Sequence, residues 1–356
     1  MRPSTFDRSA ACAGALVMTL LAGAIFLGSR GLRDYDLALL PYTLGVLFAS
    51  FTVTYRYAVW LQRPATNVYW RRGFELLSKR GQVLRNALFL ARSARSNLFA
   101  QRFIRRRSRT RWLAHFCFAW GSMVAAAVTF PLVFGWLHFE TRLDDPNVYQ
   151  VVALGFVADE FRAVSFKRYV MFNLLNASAV AVIFGAALAL HRRLRDPGSL
   201  ARQTFGNDIV PLLILIAISG TGLMLTFSTH LLRGYGYSVI SLIHAFVITA
   251  TLLYLPFGKF FHVFQRPAQL SVTLYRRANQ EEPPALCRVC GEGFAGAMHV
   301  ADLKQVLTRV DLDWKLDGAV SHYSDVCPRC RRRLFGFSQG RVMGRSGNAV
   351  APTEVG

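Results

Sequence analysis

Charge is scarce in this chain, and acid is the scarcer part of it. Only 17% of the 356 residues are charged, against roughly 25% in soluble domains. Twenty are acidic and 42 basic, which leaves a formal net charge of +22. That excess alone would suit a soluble nucleic-acid binder. The rest of the composition excludes one. The chain is 53% hydrophobic with a mean hydropathy of +0.29, and it carries apolar runs of about 20 residues, the length that spans a bilayer. Also missing are internal repeats, low-complexity tracts and any motif for a nucleotide, a flavin or molybdopterin. The apolar runs keep their ionisable residues at the ends, which argues against a transporter with a polar midplane path.

Six apolar runs stand out, roughly 9–29, 38–61, 112–137, 169–190, 209–231 and 238–263. The first follows Arg2 and Arg8, as a signal peptide would. It is longer than such a core and no clear cleavage site follows, so it reads as a retained anchor within 1–35. The fold class expected is an all-α polytopic membrane bundle of six transmembrane helices. The basic residues orient it. From Arg63 to Arg111 arginines and lysines face a single acid, Glu75, and Arg192, Arg193, Arg195 and Arg202 follow the fourth run. The loop after the third run carries Glu140, Asp144, Asp145, Asp159 and Glu160 instead. The positive-inside rule makes the basic loops and both termini cytoplasmic. The net charge then reads as topology and contact with anionic lipid, not nucleic acid. Within 63–111, Phe74, Leu76, Leu77, Val83, Leu84, Leu88, Phe89 and Leu90 recur at near-helical spacing. That predicts an amphipathic helix on the inner membrane surface, or else a docking face for a cytoplasmic partner.

Histidines inside membrane segments are costly and usually functional. In IHAFVITATLLYLPFGKFFH, residues 243–262, His244 and His262 are 18 residues apart. On one helix that is five turns, about 27 Å, with both rings on the same face. Neutral imidazole is a good ligand for haem iron, and a b-type haem takes one from each side. Pro256 is expected to kink this helix. Lys259 is expected to snorkel to the headgroups.

These residues resemble the cytochrome b, or gamma, subunits of respiratory nitrate reductases and their relatives in sulfite- and heterodisulfide-type complexes. The likeness covers roughly 40–270 and is strongest in LIHAFVITATLLYLPFGKFFHVFQRP, residues 242–267. A second part is HRRLRDPGSLARQTFGNDIVPLLILIAISGTGLMLT, residues 191–226, where the basic loop, the Pro, the Asp and Thr-Gly-Leu fall in the family's order. The resemblance implies a cytochrome domain over 36–270 in a bacterial cytoplasmic membrane. It also implies two b haems, each with one ligand from the last helix and one from an earlier helix whose histidines are 10 residues apart. His115 matches the first of these and should pair with His262. Ten residues on stands Ala125, which cannot ligate. His138 and His230 are the alternatives for an outer partner to His244, so one haem or two are both open. The family exchanges electrons between quinone and a cytoplasmic Fe–S or molybdenum-type subunit. A basic residue near Lys167 and Arg168 contacts its quinone site.

The tail differs in character. After a linker over 271–286 come Cys287 and Cys290 in CRVCG, then Cys327 and Cys330 in CPRC. Two Cys-x-x-Cys knuckles supply four thiolates for one tetrahedral ion, so a ribbon-like module is expected over 287–335 with zinc first and iron as the alternative. A helix is expected between the knuckles, within 301–316, and no structure from 336 to 356. Cys12 and Cys117 are expected to be buried packing residues. A rival from another class also stands: a haem-free membrane anchor that presents the metal module to a partner.

Overall fold

The computed structural model describes residues 6–312, 314–315 and 322–344. Among the described residues six helices are long and apolar enough to cross a membrane: Arg8–Gly28, Leu37–Gln62, Arg109–Val133, Phe166–Arg195, Phe205–Leu231 and Tyr237–Tyr254. The fold class is therefore the expected helical membrane architecture. The chain divides into two compact units, Met1–Trp60 with Ala94–Pro267, and Leu61–Ser93 with Ala268–Gly356.

In the first unit α1 (Arg8–Gly28) and α2 (Leu40–Gln62) come first in sequence. Gly14 lets them touch, since a Cβ there would lie 2.9 Å from the Phe51 carbonyl oxygen. After the short α5 (Arg102–Arg105), α6 (Arg109–Val133) begins under the cap of Ser108, whose side chain accepts from the Arg111 N–H. It packs on α7 (Phe166–Arg195) through small residues. A Cβ on Gly121 would meet the Ser178 carbonyl at 2.8 Å, and one on Gly185 would meet the Phe118 nitrogen at 2.8 Å. In a membrane, where lipid removes the hydrophobic drive between helices, such close backbone approach is what holds them. α7 ends at Arg195, followed by the turn α8 (Pro197–Leu200) and a π-helical turn at Phe205–Ile209 that opens α9 (Val210–Leu231). α10 (Tyr237–Tyr254) returns beside α9.

The segment between α6 and α7 is a three-stranded antiparallel sheet, which the sequence reading had not foreseen. Its strands β1 (Leu137–Thr141), β2 (Val148–Ala153) and β3 (Phe156–Arg162) lie in that order. Phe139, Phe161 and Tyr149 gather around Phe172 of α7. Lys167, considered for a quinone site, forms an ion pair with Asp159 of β3.

The last apolar run departs most from expectation. It is not one helix to residue 263. α10 stops at Tyr254, a 3-10 turn covers Lys259–Phe261, and a new helix, α11 (His262–Glu281), starts at the histidine itself. Pro256 is fully buried and has no N–H to continue the ladder. Gly258 is extended, with φ −86° and ψ −169°. A side chain there would run into the Tyr254 ring. The expected kink is a full break, so His244 and His262 do not share one helix face.

The second unit joins the loop to the tail. The helices α3 (Pro64–Leu77) and α4 (Val83–Ala94) pair with α11 beyond Pro267, with β4 (Pro284–Leu286) and β5 (Gly293–Gly296), with α12 (Ala297–Arg309) and with α13 (Pro328–Gly344). Asp302 ties three of them. Its carboxylate accepts from Arg72 Nε and Nη2, each at 3.1 Å, and from the Tyr275 hydroxyl at 2.9 Å. Gly73 admits α11, for a Cβ there would meet the Ser271 Cβ at 2.5 Å. The amphipathic helix expected within 63–111, from Phe74 to Leu90, is thus two helices, α3 and α4, that fold with the tail, although Phe74, Leu84 and Leu88 stay exposed. The expected linker is helical to Glu281, and the tail expected to lack structure is helical from 336 to Gly344. Residues 345–356 lie outside the described residues. The helix between the knuckles is present as α12.

Candidate metal centre and the membrane histidines

The four cysteines of the two knuckles come together as the spacing required. Their sulfurs all lie within 4.8 Å of one another, and those of Cys290 and Cys327 are 3.8 Å apart. Four sulfurs about 2.3 Å from a shared ion would stand about 3.8 Å apart at tetrahedral corners. The first knuckle turns through Gly291, whose φ of +73° favours glycine, and whose N–H donates to the Cys287 carbonyl at 2.8 Å. The knuckles are joined directly: Arg288 donates its N–H to the Asp325 carbonyl at 3.0 Å. Arg331 braces the second, with Nε donating to the Val326 carbonyl at 2.6 Å and the guanidinium over the Tyr323 ring.

Backbone N–H groups aim at the sulfurs. Cys287 Sγ accepts from Cys327 at 3.2 Å and Val289 at 3.5 Å, and Cys327 Sγ accepts from Cys330 at 3.4 Å. Burial pushes the Cys287 thiol up, but these donors outweigh it and bring it down to about 6. Burial, with the neighbouring thiols, pushes Cys330 up to about 12. Four thiolates cannot share this volume without a cation among them, so the donor set fits a metal ion. Cys287, Cys327 and Cys330 are buried and Cys290 is exposed. Of the other two cysteines, Cys12 is exposed and Cys117 half-buried, so the expectation that both are buried does not hold.

The histidines of the first unit divide into two groups. His115, on α6, has Nδ1 2.8 Å from Gln101 Oε1. His262, at the start of α11, has Nδ1 2.6 Å from the Lys259 carbonyl. His244, on α10, has Nδ1 2.8 Å from the Thr221 hydroxyl. A carbonyl oxygen only accepts, so the first two rings donate from Nδ1. Thr221 already gives its hydrogen to the Ala217 carbonyl at 2.7 Å, so it too accepts. In all three the Nδ1 proton is fixed and Nε2 presents its lone pair, the arrangement that outer partners impose on metal-binding histidines. Burial also pulls His262 below its ordinary value, against the opposing pull of the Lys259 carbonyl. His115 and His262 come from elements far apart in sequence, yet His262 and Arg266 lie near enough for their charges to act on the His115 ring.

Neither His138 nor His230 shares this state. His138 is not on a membrane helix, because α6 ends at Val133. It sits on β1 with Nε2 3.0 Å from Glu140 Oε1 and Nδ1 buried without a hydrogen-bond partner. His230 is exposed in the last turn of α9.

Four supporting residues have roles that the sequence left unassigned. Gln101 is buried and left-handed, with φ +50°, a strained backbone of the kind found at functional sites. Thr221 belongs to the Thr-Gly-Leu motif, and the adjacent Gly222 leaves 3.3 Å between a would-be Cβ and the His244 ring. Asp208 pairs with Arg193 at 3.0 Å and Lys259 at 2.6 Å, so Lys259 is an ion-pair partner and not a snorkelling residue. Arg56, the fourth, stands inside an apolar run, and that position alone was the available signal.

Comparison of the chain with protein-family models, with curated proteins and with solved structures yields no match.

Proposed function

We propose that this chain is the membrane electron-transfer subunit of a quinol-linked oxidoreductase, with b-type haem held between His115 and His262. The observation that carries the reading is the common state of these rings: Nδ1 pinned by Gln101 and by the Lys259 carbonyl, Nε2 open, and His262 near enough for its charge to act on the His115 ring. Haem bound there would supply a one-electron carrier whose potential the ligands and burial tune. The chain's own residues bind and orient. Gln101 and Lys259 hold the rings, and Asp208 holds Lys259. His244 is prepared in the same way by Thr221, but His138 and His230 are not, so this reading favours one haem per chain. The partner would be an Fe–S or molybdenum-type subunit on the side of the basic loops, and quinone the membrane reactant.

In the second unit we assign the four cysteines to zinc. The buried cluster around the knuckles is largely the cysteines themselves, with Val326 and Phe294. An ion that fixes the fold without redox chemistry suits so small a core. The rival function, a haem-free anchor presenting this module, is favoured by the joining of loop and tail into one unit. Mixing a reduced quinol analogue with oxidised, purified full-length protein separates the two. A b-type α-band that rises on mixing is the expected result. A protein with no reducible chromophore belongs to the anchor reading.

A further inference from the structure

The break between α10 and α11 opens a cavity of about 360 Å³ in the first unit, lined by Arg56, Asn207, Phe257, Lys259, His262 and Gln265 among others. Arg56 reaches it from α2, six residues before that helix ends at Gln62, about 9 Å along the axis. An arginine at that depth would ordinarily turn outward to the headgroups. This one stays exposed but turns toward the break. Its Nη1 donates to the Pro256 carbonyl, and its guanidinium lies 4.3 Å from the centroid of the Phe261 ring. A guanidinium carries five N–H donors, and no carboxylate pairs with it among the described ion pairs. The nearby acid is already engaged: Asp208 serves Lys259 and Arg193. Lys259 and Arg193 thus divide one carboxylate between them and Arg56 has no acid of its own among the described ion pairs, while the amides of Asn207 and Gln265 add donors beside an apolar wall of Phe257.

We propose that this cavity binds the phosphate of an anionic phospholipid headgroup, with Arg56 as its charge partner. A cationic pocket between helix ends at the basic side of a membrane protein is the setting in which such headgroups bind. Position supports a lipid over a soluble anion. The ends of α2 and α10 and the start of α9 meet here, through the Arg56 bond to Pro256 and the 3.2 Å bond of the Tyr254 hydroxyl to the Gly206 carbonyl. Phe257, 67% exposed at the rim, offers an apolar surface to an acyl chain. His262 lines the cavity but His115 does not. The site is thus not the interval between the two histidines, and the inference requires only that the six helices span a bilayer.

The test uses full-length protein, delipidated in neutral detergent and with its haem content measured. It is titrated with dioctanoyl phosphatidylglycerol, dioctanoyl phosphatidylcholine or inorganic phosphate while the thermal midpoint is followed. Phosphatidylglycerol is expected to raise the midpoint and the other two are not. Arg56→Gln should raise the half-saturating concentration about ten- to a hundredfold, the worth of one charge-assisted hydrogen bond, and Arg56→Lys by less. Should Arg56→Gln fail to fold, Gln265→Leu, which keeps the cation, should still weaken the response several-fold. An equal response to phosphatidylcholine or to phosphate overturns the inference. So does an Arg56→Gln variant that responds like the parent. A haem-free preparation that keeps the phosphatidylglycerol response removes the cytochrome reading and leaves this one standing.

Discussion

Gln101 and Asp302 show how single buried polar groups set the two sites. Gln101 presents Oε1 to His115 from a left-handed backbone that costs free energy to hold. Gln101→Leu leaves the His115 N–H without its acceptor and is expected to destabilise the first unit by about 1–2 kcal/mol. Gln101→Glu, which can still accept, should recover most of this. Thermal unfolding of the purified variants measures both. Asp302 is nearly enclosed, its side chain 6% exposed, while the Arg72 side chain is 40% exposed. Solvent therefore screens part of the pair. The larger loss in Asp302→Ala is the Tyr275 hydroxyl and the arginine fork left without an acceptor, together about 2 kcal/mol. Hydrogen exchange should rise in α3, α11 and α12. An exchange pattern like the parent's would show that the carboxylate does not tie these helices. Neither partnership was legible in the sequence, because Arg72 and Asp302 are 230 residues apart and only the fold brings them together.

The helices themselves were legible, and for a plain reason. A run of about 20 apolar residues has few alternatives to a membrane helix, and all six runs became one. What each helix does at its end was not. Pro256 signals a weak point, but whether a helix kinks or stops there depends on the Tyr254 ring packing over Gly258 and on Arg56 binding the freed Pro256 carbonyl. The break moves His262 onto the first turn of α11 and sets the Lys259 carbonyl against its ring. Gly258→Ala is expected to displace the Tyr254 ring and this turn, lowering stability by about 1–3 kcal/mol. It should also weaken whatever His262 binds. Thermal unfolding together with haem per chain checks both, and parental values for the two would mean that the turn does not position His262. The sheet β1–β3 escaped notice because its strands are five to seven residues long. Their acidic residues read as loop, and the aromatic contacts that seat the sheet on Phe172 are not local.

For the whole molecule, the consequence of the fold is that the first part of the basic loop, Leu61–Ser93, and the cysteine tail belong to one compact unit. The cysteine knuckles announced their centre through spacing alone, since Cys-x-x-Cys forms the same turn wherever it occurs. That loop helices α3 and α4 would join them was hidden. Their arginines suit a lipid surface equally well, and their partners lie on α11 and α12. Removal of the metal by a chelator should therefore loosen the knuckles and α12 while the six long helices remain. Protease cleavage near residues 287–330 with unchanged helical content in detergent is the expected pattern. Loss of all helical structure on chelation would contradict the division into two units. In the proposed arrangement His115 and His262 hold a b haem. The direct measurement is a reduced-minus-oxidised spectrum with pyridine haemochrome quantification, made on purified full-length protein from haem-replete cells. One haem per chain is expected, lost in His115→Ala and in His262→Ala alike. An absence of haem, or a full b-type spectrum in both variants, would contradict it.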